Sequence, residues 1–473
     1  MISLNALINT LIENITAPLE MDIQGAEIDS RQAQPGSLFI ALPGEKTDGH
    51  EFIQAAFDNG AHLALVHKEI DAPCHTVDLR LGYYDPDQWP ADFPVCLRVE
   101  NTLTALQTIA THWRKQHNLR VIGITGSVGK TTTKELTASL LSQKYNVLKN
   151  PGNRNNEIGL PLTLLELENK HDYAVLEMGF YVPGEIQTLC DIAQPQVGVI
   201  TNIGTVHAER AGSQKMIAKG KSELVQALPP DPDGIAILNM DDPWVRWMRD
   251  RTEAKLMTYG IYESADLTAS QIKLHGIDGI SCVISYQGEQ HPVHSPLLGE
   301  FSVYTILRAS AVALAEGLTW DEIAQGLSTS RVDLRMHTFA LSNGATVIDD
   351  TYNASPESTI AALKFLKSLG GRRVAILGDM LELGPYEQDG HQQVGAFCAN
   401  SVELLILVGE RSKITAQSAL KNGFSEEKLF WFKDANEAAR PAAGLIKKGD
   451  VVLVKGSNSM RMDRILTALE VKP

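Results

Sequence analysis

Cysteine is scarce in this 473-residue chain: Cys74, Cys96, Cys190, Cys282 and Cys398 are scattered and odd in number. None stands at C-x-x-C spacing, which excludes a zinc ribbon. So few thiols also disfavour a disulfide framework, and a reducing cytoplasm is the expected setting. Uninterrupted apolar runs of about 18 residues are missing, so no transmembrane helix is expected. The opening Met1-Ile2-Ser3-Leu4 has no basic flank, and Glu13 breaks the apolar pattern, so no signal peptide is expected either. Positive charge is in deficit: 42 Lys and Arg against 57 Asp and Glu leave a net charge of −15. That balance disfavours a general nucleic-acid binder or a basic membrane-surface protein. Any phosphate ligand must be met by backbone amides and a few local cations.

What is present is globular. A hydrophobic fraction of 44% with 21% charged residues argues against wholesale disorder. At roughly 150 residues per domain, the length suggests about three domains. In residues 1–100, the strand-like runs Ser37–Leu42 and Leu63–Val66 flank a helical stretch, Phe52–Asn59, and Gly82–Pro94 reads as a surface excursion. In residues 101–330, a helix Leu103–His117 leads to the β run Val121–Thr125, a glycine-rich turn and a helix Lys130–Gln143. Buried-strand runs follow at Tyr173–Leu176, Val197–Ile200 and Ile235–Leu238, then a β-rich insert over 255–298 and a helix Val303–Gly317. Apolar runs alternating with helices indicate a parallel α/β sheet. In residues 331–473, Ser355 is an N-cap with Pro356 at the first helical position. Strand-like runs at Val374–Leu377, Leu404–Leu407 and Val451–Val454 indicate a second, doubly wound α/β domain.

The sharpest local signal is Gly126-Ser127-Val128-Gly129-Lys130-Thr131-Thr132, directly after a β run and at a helix start. Glycines let backbone amides approach phosphate oxygens, and the helix N-terminus favours negative charge. Lys130 suits β/γ-phosphates and the Thr131 hydroxyl suits Mg²⁺. Ile124 stands where the strict motif has its first glycine, so a tight strand–helix turn is the competing reading. Glu177 ends a strand run and could hold a metal or be a solvated strand end. His207 follows Thr201-Asn202-Ile203-Gly204 and could be structural. Lys219 and Lys221 share a helical segment whose bland reading is a solvated face. Asn153–Gly159 reads as a loop and helix cap, or as amides for a base edge.

Taken together, and in this order, these strings resemble the Mur ligase family. The set comprises Gly126–Thr132, Gly152-Asn153-Arg154-Asn155-Asn156-Glu157-Ile158-Gly159-Leu160-Pro161, Leu176-Glu177-Met178-Gly179, Asn202–His207 and Ala218–Glu223. At the front, Asp29-Ser30-Arg31, Pro35–Phe39 and Gly44–His50 are similar to the family's UDP-sugar-binding domain. At the back, Asp349–Pro356, Leu377–Gly384 and Val454–Ser457 resemble the branch that adds D-Ala-D-Ala.

The resemblance implies three α/β domains: a small UDP-sugar-binding domain over 1–100, a central phosphate-loop, parallel-sheet ATPase domain over 101–330, and a Rossmann-like dipeptide- and ATP-closing domain over 331–473. It implies an ATP-dependent ligase of peptidoglycan precursor synthesis that joins D-Ala-D-Ala to UDP-N-acetylmuramoyl-tripeptide through an acyl phosphate. Carried over by position, Lys130, Glu177, His207 and Lys221 are the catalytic set. Gly126, Ser127, Val128, Gly129, Lys130, Thr131, Thr132, Asn156, Arg335 and Asp350 face ATP. Ser30, Arg31 and Thr47 face the UDP substrate, and Asn353, Ser355, Lys455 and Ser457 lie near the dipeptide. Thr131, Glu177, His207 and Lys221 hold metal, two Mg²⁺ in all, with CO₂ on Lys221 as a carbamate. The expected protein is a cytoplasmic monomer, without nucleic acid or membrane insertion, whose domains close for catalysis.

Three departures stand out. The family's His-Asn and following Asn, which face adenine, are replaced within Gly299–Thr305; Arg308 stands where a small residue is usual; and Leu334 precedes Arg335 where glycine is common. Loss of amide contacts to a base costs about 1 kcal/mol each. Two other readings remain open at this level, a related ligase with another substrate and a weakened paralogue that senses precursor.

Overall fold

The computed structural model describes residues 2–12, 21–44, 46–82, 89–90, 92–330 and 336–470. The chain packs into two compact units. One comprises residues 1–123, 145–179 and 185–196; the other comprises 124–144, 180–184 and 197–473. Arg335 and part of the expected 82–94 excursion fall outside the described residues. No helix among the described residues is long and apolar enough to cross a membrane.

The first unit contains a five-stranded, all-parallel sheet in the order Ala26–Glu27, Leu38–Ile40, Leu63–Val66, Val95–Arg98 and His75–Asp78. Its strands are uniformly apolar where both faces are covered: every residue of Leu63–Val66 is fully buried. The helix Thr102–Lys115 begins where the Asn101 side chain accepts from the Thr104 amide, and it buries Leu106, Ile109 and Trp113. Arg114 on this helix is buried too. Its guanidinium donates to the carbonyls of Ala193, His117 and Leu119, so backbone oxygens stand in for water around the charge. The strands Val147–Lys149 and Tyr173–Glu177 pair in parallel in the same unit.

In the second unit, Val197–Ile200, Ile235–Asn239, Lys255–Gly260 and Leu267–Leu274 pair in parallel, in that order. Ile280–Tyr286 and Glu289–Ser295 extend the sheet antiparallel, which makes up the β-rich insert expected over 255–298. A six-stranded sheet follows in the order His337–Ala340, Thr346–Asp350, Asp450–Lys455, Arg372–Gly378, Leu404–Val408 and Leu429–Phe432. All of its pairs are parallel except the first. Alternation with period two sorts its side chains cleanly. Ile348, Ala375, Leu377, Leu405, Leu407 and Leu453 build one core, while Val347, Val374, Ile376, Ile406, Val452 and Val454 build the other. The helix Pro356–Ser368 starts as expected at Ser355, in a reciprocal capping box with Ser358 and with proline at N1. Helices on both faces and a parallel sheet give the doubly wound architecture expected from the sequence.

Candidate active site

The strand Arg120–Thr125 ends in the glycine-rich turn, and the helix Lys130–Leu141 begins at its lysine. Two glycines allow this path. Gly126 has φ 145°, and a Cβ there would lie 1.8 Å from Thr201 Oγ1. Gly129 has φ 84° and stands at the N-cap. The loop is laced to the segment that follows Val197–Ile200. Ser127 N donates to the Asn202 carbonyl (2.9 Å), Val128 N to Asn202 Oδ1 (2.9 Å), and Gly204 N to Ser127 Oγ (2.8 Å). Lys130 Nζ folds back to the Gly126 carbonyl at 2.9 Å. Thr131 and Thr132 start the helix, half-buried.

His207 lies in this same unit, at φ 69°. Its Nδ1 pairs with Glu382 Oε2 at 2.6 Å, and its ring meets Tyr181 edge-on. Burial pushes the imidazole below the usual histidine range, against the opposing pull of Glu382. The neutral ring is the form that ligates metals, with Nε2 as its second nitrogen. The helix Gln214–Gln226 separates the two lysines that sequence could not rank. Lys219 is exposed, whereas Lys221 is buried with Nζ 4.6 Å from the Phe180 ring centroid. The space for that ring comes from Gly220, where a Cβ would come within 2.1 Å of Phe180.

In the first unit, Glu177 is buried at the end of its strand. Its carboxylate accepts from Asn155 Nδ2 at 2.8 Å, and its peptide is bracketed by Asn150, which accepts from its N–H (2.9 Å) and donates to its carbonyl (3.0 Å). Asn156 Oδ1 accepts from Gly159 N at 2.9 Å, at the start of the helix Gly159–Leu165. Ser30 is buried, while Arg31 is exposed and bound to Asp29. Thr47 is exposed beside Asp48. Asp48 binds both His50 and Lys68, and the Lys68 ammonium holds its carboxyl far below the usual range.

The six-stranded sheet brings Asp350 and Lys455 together at 2.6 Å, both buried, with Lys455 also donating to the Asn353 carbonyl at 2.8 Å. Asn353 is exposed. Ser457 Oγ accepts from Leu381 N at 2.9 Å, and Ser355 Oγ is spent on its helix cap. Sequence reasoning missed Asn150, Asn155, Asn202 and Glu382 as positioning residues. Asn155, Asn202 and Glu382 lie within the strings named above and Asn150 lies outside them; only contacts distant in sequence single these residues out.

Family models match in three stretches: Mur ligase family, catalytic domain, over 22–85; Mur ligase middle domain over 124–313; and Mur ligase, glutamate ligase domain, over 334–458. A UDP-N-acetylmuramoyl-tripeptide–D-alanyl-D-alanine ligase of Synechocystis is 37% identical, covering 93% of this chain and 90% of that protein. Among solved structures, MurF from Acinetobacter baumannii has a TM-score of 0.85 at 30% identity, covering 99% of this chain and 98% of that one. MurF from Thermotoga maritima, solved in complex with ADP, has a TM-score of 0.79 at 28% identity, covering 95% and 97%. With all three stretches matched in order and relatives aligned nearly end to end, this chain belongs to the Mur ligase family of ATP-dependent ligases.

Proposed function

We propose that the protein joins D-Ala-D-Ala to UDP-N-acetylmuramoyl-tripeptide, consuming ATP and releasing ADP and phosphate, as a step of peptidoglycan precursor synthesis. The observation that carries this reading is the near-full-length likeness to ligases of that name, 31–37% identical. The tripeptide's terminal carboxylate takes the γ-phosphoryl group of ATP. The dipeptide amine then attacks the acyl carbon, and phosphate leaves with the C–O bond. The domains divide this work as 1–100 for the UDP-sugar, 101–330 for ATP and 331–473 for the dipeptide.

In this reading, the amides of Gly126–Thr132 and the Lys130 ammonium bind the nucleotide phosphates, so that charge is stabilised as the phosphoryl group moves. Asn156, Asp350 and Arg335 complete the ATP contacts. Ser30, Arg31 and Thr47 bind the UDP moiety, and Asn353, Ser355, Lys455 and Ser457 border the dipeptide. Mg²⁺ favours hard oxygen donors, one or two carboxylates together with substrate phosphates. The Thr131 hydroxyl and the Asn155-oriented carboxylate of Glu177 suit it, and His207, held by Glu382, would add a nitrogen donor, which Mg²⁺ takes less readily. Lys221 supplies a further carboxylate once carbamylated by CO₂, and its burial beside Phe180 fits a side chain fixed in place. Two bound Mg²⁺ would offset repulsion between the reacting anions. The setting is the cytoplasm and the acting species a monomer, which sedimentation would check.

The test is phosphate release from ATP and Mg²⁺ with UDP-N-acetylmuramoyl-tripeptide, with D-Ala-D-Ala present or omitted. Release that needs both substrates, matched by a pentapeptide mass, is expected. Tight tripeptide binding without release would mark a precursor sensor, and failure to bind it would mark a different substrate.

A further inference from the structure

Arg308 lies on the helix Ser302–Ala315 and is 5% exposed. Its Nε donates to Thr133 Oγ1, and its Nη2 donates to Thr305 Oγ1 at 2.8 Å. The Thr133 hydroxyl in turn donates to the Gly129 carbonyl at 2.6 Å. A Cβ on Gly129 would come within 2.5 Å of Nη2, so the guanidinium lies directly against the glycine of the phosphate loop. Nearby, the buried Tyr259 hydroxyl reaches the carbonyls of Ile200 (3.1 Å) and Thr201 (3.2 Å). Thr201 is the residue packed against Gly126. The arginine is thus linked through the Thr133 hydroxyl to Gly129 of the loop.

Among the described residues these partners are hydroxyls, and Arg308 forms no ion pair with a carboxylate. Burial pushes its pKa down, yet an arginine keeps its proton. A buried cation bound only to neutral oxygens retains a field that a nearby anion would satisfy. The nucleotide phosphates assigned to this loop are such an anion.

We propose that Arg308 is a positioning residue for the phosphate loop, which fixes Gly129 and Thr133 from beneath and lends its positive charge to the polyphosphate of the bound nucleotide. This rests on the reading that Gly126–Thr132 binds ATP. The charge acts through the Gly129 peptide without touching the nucleotide.

The test compares ADP with adenosine, each titrated with Mg²⁺ present, on full-length wild type, Arg308→Met and Arg308→Lys. Arg308→Met should weaken ADP about tenfold, through loss of a unit charge near the phosphates, and adenosine less than about twofold. Arg308→Lys, which keeps the charge, should recover most of the loss. Equal weakening of ADP and adenosine would reduce Arg308 to a purely structural group and overturn the proposal, as would an unchanged ADP affinity. If Arg308→Met does not fold, Thr133→Val and Arg308→Lys make the same comparison. Thr133→Val should then weaken ADP selectively, and no selective loss would refute the linkage. Wild type that binds no ADP would overturn the ATP reading itself, whereas tight wild-type binding with unaltered variants would overturn this inference alone.

Discussion

His207 and Glu382 meet at 2.6 Å although 175 residues separate them, and both hold left-handed backbone, φ 69° and 63°. Two non-glycine residues in that region store strain, which surrounding structure must offset. The pairing fixes the ring through Nδ1 and leaves Nε2 as the second donor. An outer-shell carboxylate of this kind sets tautomer and orientation in metal-binding histidines. Glu382→Gln should therefore raise the Mg²⁺ concentration needed for half-maximal turnover by about 10- to 100-fold. Saturating Mg²⁺ should restore much of the rate, and an unchanged Mg²⁺ requirement would remove Glu382 from this role.

The same pair predicts a pH profile. Burial lowers the His207 pKa below its ordinary value of 6.5, so the folded state binds this proton more weakly than the unfolded one. The resulting contribution to stability is present above that ordinary value and is lost as pH falls through the depressed one. Activity should follow the neutral ring, placing the acid limb of kcat/KM below pH 6.5. The Glu382 carboxylate pulls the pKa upward, so Glu382→Gln should move the limb further down. A limb that moves up in the variant would contradict this assignment.

Much of this was legible in the sequence because it is written in local chemistry. The strand–glycine–helix turn at 126–132, the cap at Ser355-Pro356 and the alternating apolar runs of the C-terminal sheet depend on near neighbours alone. Lys219 and Lys221 could not be ranked from spacing, since both sit on one helical segment. Burial of one and exposure of the other comes from packing against Phe180. Asn150 and Asn155 were likewise hidden, because what matters is their contact with a strand end 27 and 22 residues away. Arg308 registered only as a departure until its contacts with the phosphate loop gave it a place.

The lysine pair yields a contrast between neighbours on one helix. Lys219→Ala should leave turnover within about twofold, as expected for an exposed side chain. Lys221→Ala should abolish it, and short-chain carboxylic acids should restore part of it by supplying the missing carboxylate. A ¹³C-bicarbonate label should give a carbamate resonance in wild type and lose it in the variant. Full activity of Lys221→Ala would end the carbamate assignment.

Asp350 and Lys455 offer a stability test independent of the reaction. Both are buried and paired at 2.6 Å on adjacent parallel strands, Thr346–Asp350 and Asp450–Lys455. Lys455→Met would leave the Asp350 carboxylate desolvated without its cation, and breaking such a pair from one side costs about 3–5 kcal/mol. The double change Asp350→Asn with Lys455→Met removes both charges, so its cost should be well below the sum of the two single changes. Urea titration of the four proteins gives the coupling directly. Additive costs would mean that the two groups do not depend on each other, and that Lys455 draws its fixed position from the Asn353 carbonyl alone.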